Sequence, residues 1–369
     1  MHRSNTPALR LAVAVAAMAS LVAGCNIFSN PPAPTPSPSG GAAISTVTPS
    51  PTPHLFRSIV LVAQIGEPKK WTPAGLTWIG VQEAAARIGA ASSNVEPISN
   101  ADYPKALDAA ATPGAVVVTV GTVADPAVRV AAAAHPTTQF FEVDVALPDG
   151  VPANLHGLVF DEAEAGYLGG YVAAAFSGTS GVGMVGDTAT DVGSANYAAG
   201  FQNGLTQAVP GAVAAFAYVG TDDSPDRGRT AAAGLVKAGS RVIMALPSLS
   251  GIGAMREACA DGARLVAVDT DAWQTVPDIH SCLLVSVMKR YDVAIAAAVL
   301  AADAGTAAQR VAMNDVSTGG IALSSFHVEL PAGFQTSIEA IIATLRAGPP
   351  RATPAPPSAP PSAGGSPTS

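Results

Sequence analysis

Short runs of Val, Ile and Leu alternate through the middle of the chain with longer Ala-rich segments whose apolar residues recur every three or four positions. The runs at 58–65, 115–120, 139–143, 181–185, 212–218, 242–245, 265–268, 282–286 and 320–324 predict strands. The segments at 76–88, 125–134, 163–176, 195–208, 227–238, 252–261 and 291–304 predict helices. Strands that are apolar along their whole length, and not at every second residue, are covered on both faces, as in parallel sheets layered with helices. Ligands bind such sheets beyond the carboxyl ends of the strands, so the residues that follow each run are the ones to inspect. An alternating region of about 290 residues exceeds what one core comfortably fills, which predicts two lobes.

The pattern stops at both ends. Residues 31–53 hold eight prolines among Ser, Thr, Ala and Gly, and residues 349–369 hold eight more. Such segments bury too little apolar surface to offset the entropy of ordering them. They predict a linker over 25–56 and a tail over 348–369, with a last helix over 331–347 between tail and domain. Ahead of the linker, Arg3 and Arg10 flank an apolar stretch that ends in Leu21-Val22-Ala23-Gly24-Cys25. The stretch is too short to span a bilayer comfortably and reads as a signal peptide over 1–24. A Cys at the first mature position resembles the lipobox of bacterial lipoproteins. That resemblance implies an acylated Cys25 and a domain tethered to the lipid bilayer on the extracytoplasmic side of the cell membrane. An ordinary signal peptide with a chance Cys is the alternative.

Composition narrows the function classes. Only 12% of residues are charged and the net charge is −8, without basic clusters. Nucleic-acid binding is therefore excluded, because Lys and Arg supply most of its affinity. Three Cys and six scattered His rule out a zinc finger or a dense disulfide scaffold. No metal-spaced carboxylate cluster occurs, and neither a metal nor another cofactor is expected. Gly181-Val182-Gly183-Met184-Val185-Gly186 matches the dinucleotide fingerprint in letters. Its glycines lie within a predicted strand, however, where they cannot open a helix onto a pyrophosphate. There is no G-x-S-x-G elbow, and His135, His156, His280 and His327 are isolated. The chain reads as a binding protein, not an enzyme. Cys259 and Cys282 form a candidate disulfide in an oxidising compartment; two buried thiols are the other reading.

Several predicted strand ends carry Asp, Gly or Lys: Gly121 to Asp125, Gly220-Thr221-Asp222-Asp223, Pro247 to Gly253, Asp269-Thr270-Asp271 and Lys289-Arg290. A carboxylate there can accept hydrogen bonds from ligand hydroxyls, and a glycine lets backbone approach a ligand. Singly, each Asp could equally be a helix cap.

Sequence pieces around these ends carry a family resemblance. Phe140 to Asp144, then Phe160-Asp161-Glu162-Ala163-Glu164-Ala165-Gly166-Tyr167-Leu168-Gly169-Gly170 with Ala173-Ala174, is similar to the basic membrane protein (BMP) family. These are substrate-binding lipoproteins of ABC importers, many of them purine-nucleoside receptors. The similarity continues through Gly183-Met184-Val185-Gly186, Gly200-Phe201-Gln202-Asn203-Gly204 and Tyr218-Val219-Gly220 with Gly228. It ends at Val268-Asp269-Thr270-Asp271 and Ser286-Val287-Met288-Lys289-Arg290, and so covers about residues 58 to 345.

The resemblance implies an α/β fold of the type I periplasmic binding protein kind, with two Rossmann-like lobes, parallel sheets and a ligand cleft between them. Lobe one would hold 57–156 and 272–316, lobe two 157–271 and 317–330. It implies delivery of a small molecule, a nucleoside first, to ABC permease and ATPase subunits. A sensor or surface interaction lipoprotein of the same fold, with a non-nucleoside ligand, is the alternative.

Residue by residue, Asp269 matches the acid that contacts the ribose and Lys289 the lysine beside it. Gly251 or Gly253 falls where backbone approaches the sugar, and Asp125 in the loop of a base-contacting acid. Two positions depart from the pattern. The family's Asp-Lys-x-Phe-Asn motif is replaced by Glu67-Pro68-Lys69-Lys70-Trp71-Thr72-Pro73, where Trp71 offers another stacking face. Asp222 stands where the second stacking Phe is expected. On this reading Asp269→Ala and Lys289→Ala should each weaken ligand binding and leave the melting temperature of the empty protein nearly unchanged.

Overall fold

The computed structural model describes residues 54–64, 69–178, 180–306 and 309–348. The expected signal peptide, Cys25 and the tail after residue 348 lie outside the described residues, as does all of the linker before residue 54.

The chain opens with β1 (Ser58–Val62), α1 (Pro73–Ile88), β2 (Ala91–Val95), α2 (Tyr103–Ala110), β3 (Ala115–Val120), α3 (Asp125–Ala134), β4 (Gln139–Val143) and β5 (Leu155–Phe160). It continues with α4 (Glu162–Ser177), β6 (Gly181–Gly186), α5 (Val192–Ala208), β7 (Ala215–Tyr218), α6 (Pro225–Lys237), β8 (Ser240–Ala245), α7 (Leu249–Ala260) and β9 (Arg264–Asp269). It closes with α8 (Ala272–Thr275), β10 (Leu283–Lys289), α9 (Tyr291–Asp303), β11 (Val311–Asn314), β12 (Ile321–Leu323) and α10 (Phe334–Arg346).

Two six-stranded sheets result. The first runs β11-β5-β4-β3-β1-β2 and the second β12-β10-β9-β8-β6-β7. All pairings are parallel except β10 with β12. Residues 115–120 are buried throughout β3, as a run apolar but for Thr119 requires of a strand covered on both faces.

The lobe boundaries differ from the expected ones. The expected lobe one includes 272–289, but β10 pairs with β9 and β12 in the second sheet, and the expected lobe two starts at 157, although β5 runs to Phe160 in the first sheet. The apolar run at 283–287 extends the second sheet before the chain returns. The chain crosses between sheets at three places instead: after β5 into α4, after β10 into α9, and between β11 and β12. Backbone hydrogen bonds tie the crossings together. Asp161 N donates to Asn314 O at 3.0 Å and Arg290 N donates to Gly320 O at 2.7 Å. Val316 N donates to the Glu164 carboxylate at 2.9 Å.

Glycines bring α4 and α5 into backbone contact. A Cβ on Gly166 would lie 2.3 Å from Tyr197 O, and one on Gly170 2.0 Å from Phe201 O. Reciprocally, a Cβ on Gly200 would lie 2.0 Å from Ala163 O and one on Gly204 1.9 Å from Tyr167 O. Only glycine fits at these four places, and the fit fixes the register of α5, hence the position of Tyr197.

Cys259 on α7 and Cys282 before β10 are joined by a disulfide, with their Cα atoms 5.5 Å apart. It pins α7 to the amino-terminal end of β10, the end of the second sheet away from Lys289.

Candidate functional site

The carboxyl ends of strands from both sheets converge on one ammonium group. Lys289, the last residue of β10, is only 5% exposed. Its Nζ lies 3.1 and 3.2 Å from the Asp144 carboxylate oxygens, 3.4 Å from Glu162 Oε1 and 3.6 Å from Asp269 Oδ2. Asp144 follows β4 of the first sheet, Glu162 opens α4, and Asp269 ends β9 of the second sheet. Two tyrosines complete the array. Tyr197 Oη donates to Asp269 Oδ1 at 2.5 Å. Tyr291 Oη bridges Asp144 Oδ2 at 3.2 Å and Asp269 Oδ2 at 3.4 Å. The Lys289 ammonium also lies over the rings of Phe160 and Tyr197, at 5.7 and 5.9 Å from their centroids.

Burial opposes the charged forms of Lys289, Glu162 and Asp269, and the partners outweigh it at Lys289 but not at the two carboxyls. Burial works against the Lys289 ammonium, but Asp269, Asp144 and Glu162 together outweigh it and hold the group protonated beyond the ordinary lysine range. Burial raises the Glu162 and Asp269 carboxyls, and Lys289 counters it in both. Tyr197 and Tyr291 are pushed up by burial and then by the facing carboxylates, so both remain phenol donors.

The backbone is strained at the same place. Asp144 (φ 63°) and Asp269 (φ 70°) are left-handed, a conformation that Asp visits more readily than most residues but still at a cost. The two strained aspartates close the ends of β4 and β9, one in each sheet, and share Lys289 and Tyr291 as partners.

The expected site residues are distributed unevenly around this centre. Asp269 and Lys289 are brought together. Trp71 (φ 132°) precedes Thr72, whose hydroxyl caps α1 by accepting from Gly75 N at 3.2 Å. The Trp71 ring is half-buried and faces the Lys70 ammonium at 4.8 Å. Asp125 opens α3, and both its oxygens are engaged by Arg129 at 2.6 Å. Asp222 is exposed in the loop after β7, and its carbonyl accepts from Ser250 N at 3.0 Å. Gly251 and Gly253 serve close packing against protein. A Cβ there would lie 1.7 Å from Leu246 O and 2.1 Å from Pro225 O respectively.

Sequence reasoning did not single out Asp144, Glu162, Tyr197, Tyr291 or Asp187 as site residues. Asp187 follows β6 as Asp269 ends β9, and accepts from the Ser248 hydroxyl at 2.6 Å. Burial raises its carboxyl, against the Ser248 bond, and Asp222, Asp191 and Asp269 add to the rise. The rule that picked Asp269, an acid directly after an apolar run, also reaches Asp144 and Asp187. Glu162 and Tyr291 open helices that begin at the crossings, and Tyr197 lies inside α5, where strand-end inspection does not look. Among the described residues no group of His, Cys, Asp and Glu has the arrangement to hold a metal ion, and no helix is long and apolar enough to cross a membrane.

Comparison with known proteins agrees with this architecture. The chain is 29% identical over 153 residues to basic membrane protein A of Borreliella burgdorferi, a match that spans 41% of this chain and 45% of that protein. It is 30% identical over 130 residues to basic membrane protein A of Borreliella afzelii, over 35% of this chain and 40% of that protein. The chain thus matches less than half the length of these curated relatives. A solute-binding protein of an ABC transporter system from Conexibacter woesei superposes with a TM-score of 0.63 at 22% identity, covering 81% of this chain and 99% of that one. One from Aeropyrum pernix gives 0.58 at 22%, covering 79% and 86%. The two-sheet fold is therefore that of solute-binding proteins. A family model described as ABC transporter substrate-binding protein PnrA-like matches residues 75–342, most of the described region, and the chain belongs to that family.

Proposed function

We propose that this protein is a lipid-anchored extracytoplasmic receptor that binds a small polyhydroxylated molecule, a nucleoside first, and presents it to an ABC importer. The observation that carries the reading is the convergence of Asp144, Glu162 and Asp269 on buried Lys289 at the strand ends of both sheets. The Lys289 ammonium favours the ionised form of Asp269 against burial. A carboxylate in that setting accepts two hydrogen bonds from a vicinal diol such as a ribose presents. The three crossings form a narrow, hydrogen-bonded neck, the kind of element about which two lobes close on a ligand. Trp71 on the first lobe would supply the stacking face for a base, and Asp222 an acceptor on the second.

The Pro-rich linker and Cys25 support tethering to the membrane surface, with the domain standing off the bilayer. Cys25→Ser should move the protein from the membrane fraction to the soluble one. Retention in the membrane fraction would remove the acyl anchor from the reading.

The test of the ligand is a thermal-shift screen of the mature chain, refolded to strip anything bound, against nucleosides, free bases, ribose, other sugars and amino acids. A ligand at 100 times its Kd adds about 2.7 kcal/mol to stability, a rise of several degrees in Tm for a chain of this size. Inosine, guanosine or adenosine should raise Tm most, ribose less at equal concentration. No shift with any nucleoside would reject the nucleoside reading, and a shift with sugars alone would replace it by a sugar receptor.

A further inference from the structure

Lobe one contains a carboxyl group that the cleft chemistry does not use. Glu142, on β4, is completely buried. Along that strand Phe141 and Val143 face the core shared with α1 and α9, while Phe140 faces the core under α2 and α3. Strand alternation therefore points Glu142 toward α2 and α3. Its register partners are Thr119 on β3 and Gly157 on β5. Neither Glu142 oxygen has a hydrogen-bond donor among the described residues, and neither does the Thr119 hydroxyl have a partner there.

The charged groups that face Glu142 are Asp125 and Arg129, both on α3. On α2, Tyr103 is buried in the same core with its hydroxyl pKa raised by burial, while Lys105 and Asp108 are exposed and Asp108 is bonded to His135 at 2.7 Å. Arg129 spends its fork on Asp125, at 2.6 Å to each oxygen, so the group that meets Glu142 is a carboxylate. Two carboxylates cannot satisfy each other while both are ionised; one proton between them makes a donor and an acceptor. The proton belongs on Glu142, because Asp125 has the guanidinium and Glu142 has none of its own.

We propose that Glu142 is a positioning residue for the first turn of α3, which follows the carboxyl end of β3: as a neutral carboxylic acid it donates a hydrogen bond to Asp125 and holds that turn. Burial, with Asp125 second, pushes the Glu142 carboxyl up to about 8, so the bond is present at neutral pH and lost in mild alkali. For a group raised in the folded state, stability is full below the ordinary glutamate range and declines as pH rises through the raised value. The α3 turn loosens in that window. Relevance to a ligand rests on the cleft reading above. The tests use ligand-free protein, so a failure of this inference and a failure of that reading are told apart.

Infrared difference spectra taken through pH 6 to 10 should show a protonated-carboxyl carbonyl band lost with a midpoint near 8. The band should be absent from Glu142→Gln. Asp125→Asn should move the midpoint down by about one unit or more, because it removes the facing negative charge. A band that persists in Glu142→Gln, or a midpoint unmoved in Asp125→Asn, overturns the proposal. Should Glu142→Gln not fold, the wild-type titration and the Asp125→Asn shift decide it. Amide hydrogen exchange reads the turn itself. Glu142→Gln keeps a donor and should protect the first-turn amides of α3 as the wild type does at pH 7. Glu142→Leu fills the space without a donor and should exchange there about tenfold faster or more. Equal protection in Glu142→Leu would show that packing, not the hydrogen bond, holds the turn.

Discussion

Lys289→Met should destabilise the ligand-free protein by about 3–5 kcal/mol, because it leaves three buried or half-buried carboxylates without their shared cation. In a domain of this size that is a fall in Tm on the order of 10 °C. The residue is 5% exposed, lies within 3.6 Å of Asp144, Glu162 and Asp269, and joins residues from both sheets. The prediction departs from what the sequence alone suggested, namely a substitution that weakens binding and spares stability. A lysine at the end of an apolar strand reads as a surface group reaching for a ligand. The fold buries it as a keystone between lobes.

The pH dependence gives the prediction a second handle. Burial already raises Glu162 and Asp269, and Lys289 is what counters it. Without the ammonium both rise further. A carboxyl raised in the folded state contributes stability that is full in acid and lost as pH rises through the raised value. The gap between Lys289→Met and wild type should therefore narrow as pH falls toward the ordinary carboxylate range, and widen toward neutrality. Thermal melts at pH 4.5 and 7.5 check it. A variant within 2 °C of wild type at both values would mean that water, not lysine, satisfies these carboxylates.

How much of this was legible in the sequence depends on what each residue touches. Apolar runs such as 115–120 and 265–268 announce buried parallel strands, because no charged position interrupts them and Thr119 alone is polar within them. By contrast β2, Ala91–Val95, is exposed and polar, an edge strand whose strand partner is β1. No apolar pattern marks it. In β5 the pair His156-Gly157 breaks the run, since the histidine bonds Gln139 at 2.9 Å and the glycine leaves room for Val145 O. The glycines of α4 and α5 were visible as family pieces. Their reason, mutual backbone approach, requires both helices at once. For the site, Asp269 and Lys289 followed from strand ends and resemblance. Asp144 sits at a strand end that the same rule reaches, but its pairing with Tyr291 is a contact between residues nearly 150 positions apart, and that leaves no local pattern.

Asp269→Asn should reduce ligand affinity by about 10²- to 10³-fold, the cost of removing one member of a buried, hydrogen-bonded charge pair, while moving Tm by no more than a few degrees. The choice of Asn matters. Asp269 is left-handed at φ 70°, a conformation that Asn also adopts readily, whereas Ala there adds backbone strain of about 1–2 kcal/mol. Asn keeps an oxygen for the Tyr197 hydroxyl, and Lys289 keeps Asp144 and Glu162 as counter-ions. What disappears is the negative charge that, on the proposed reading, would accept a ligand diol. Wild-type binding should also weaken in acid, since burial raises the Asp269 carboxyl above its ordinary range and the protonated form is a poorer acceptor. Asp269→Asn should show a flatter profile. Isothermal titration at pH 5 and 7.5, with the nucleoside that raises Tm most, separates the outcomes. Affinity and pH slope both retained in Asp269→Asn would move diol recognition to Asp144 or Glu162, the remaining acceptors around Lys289.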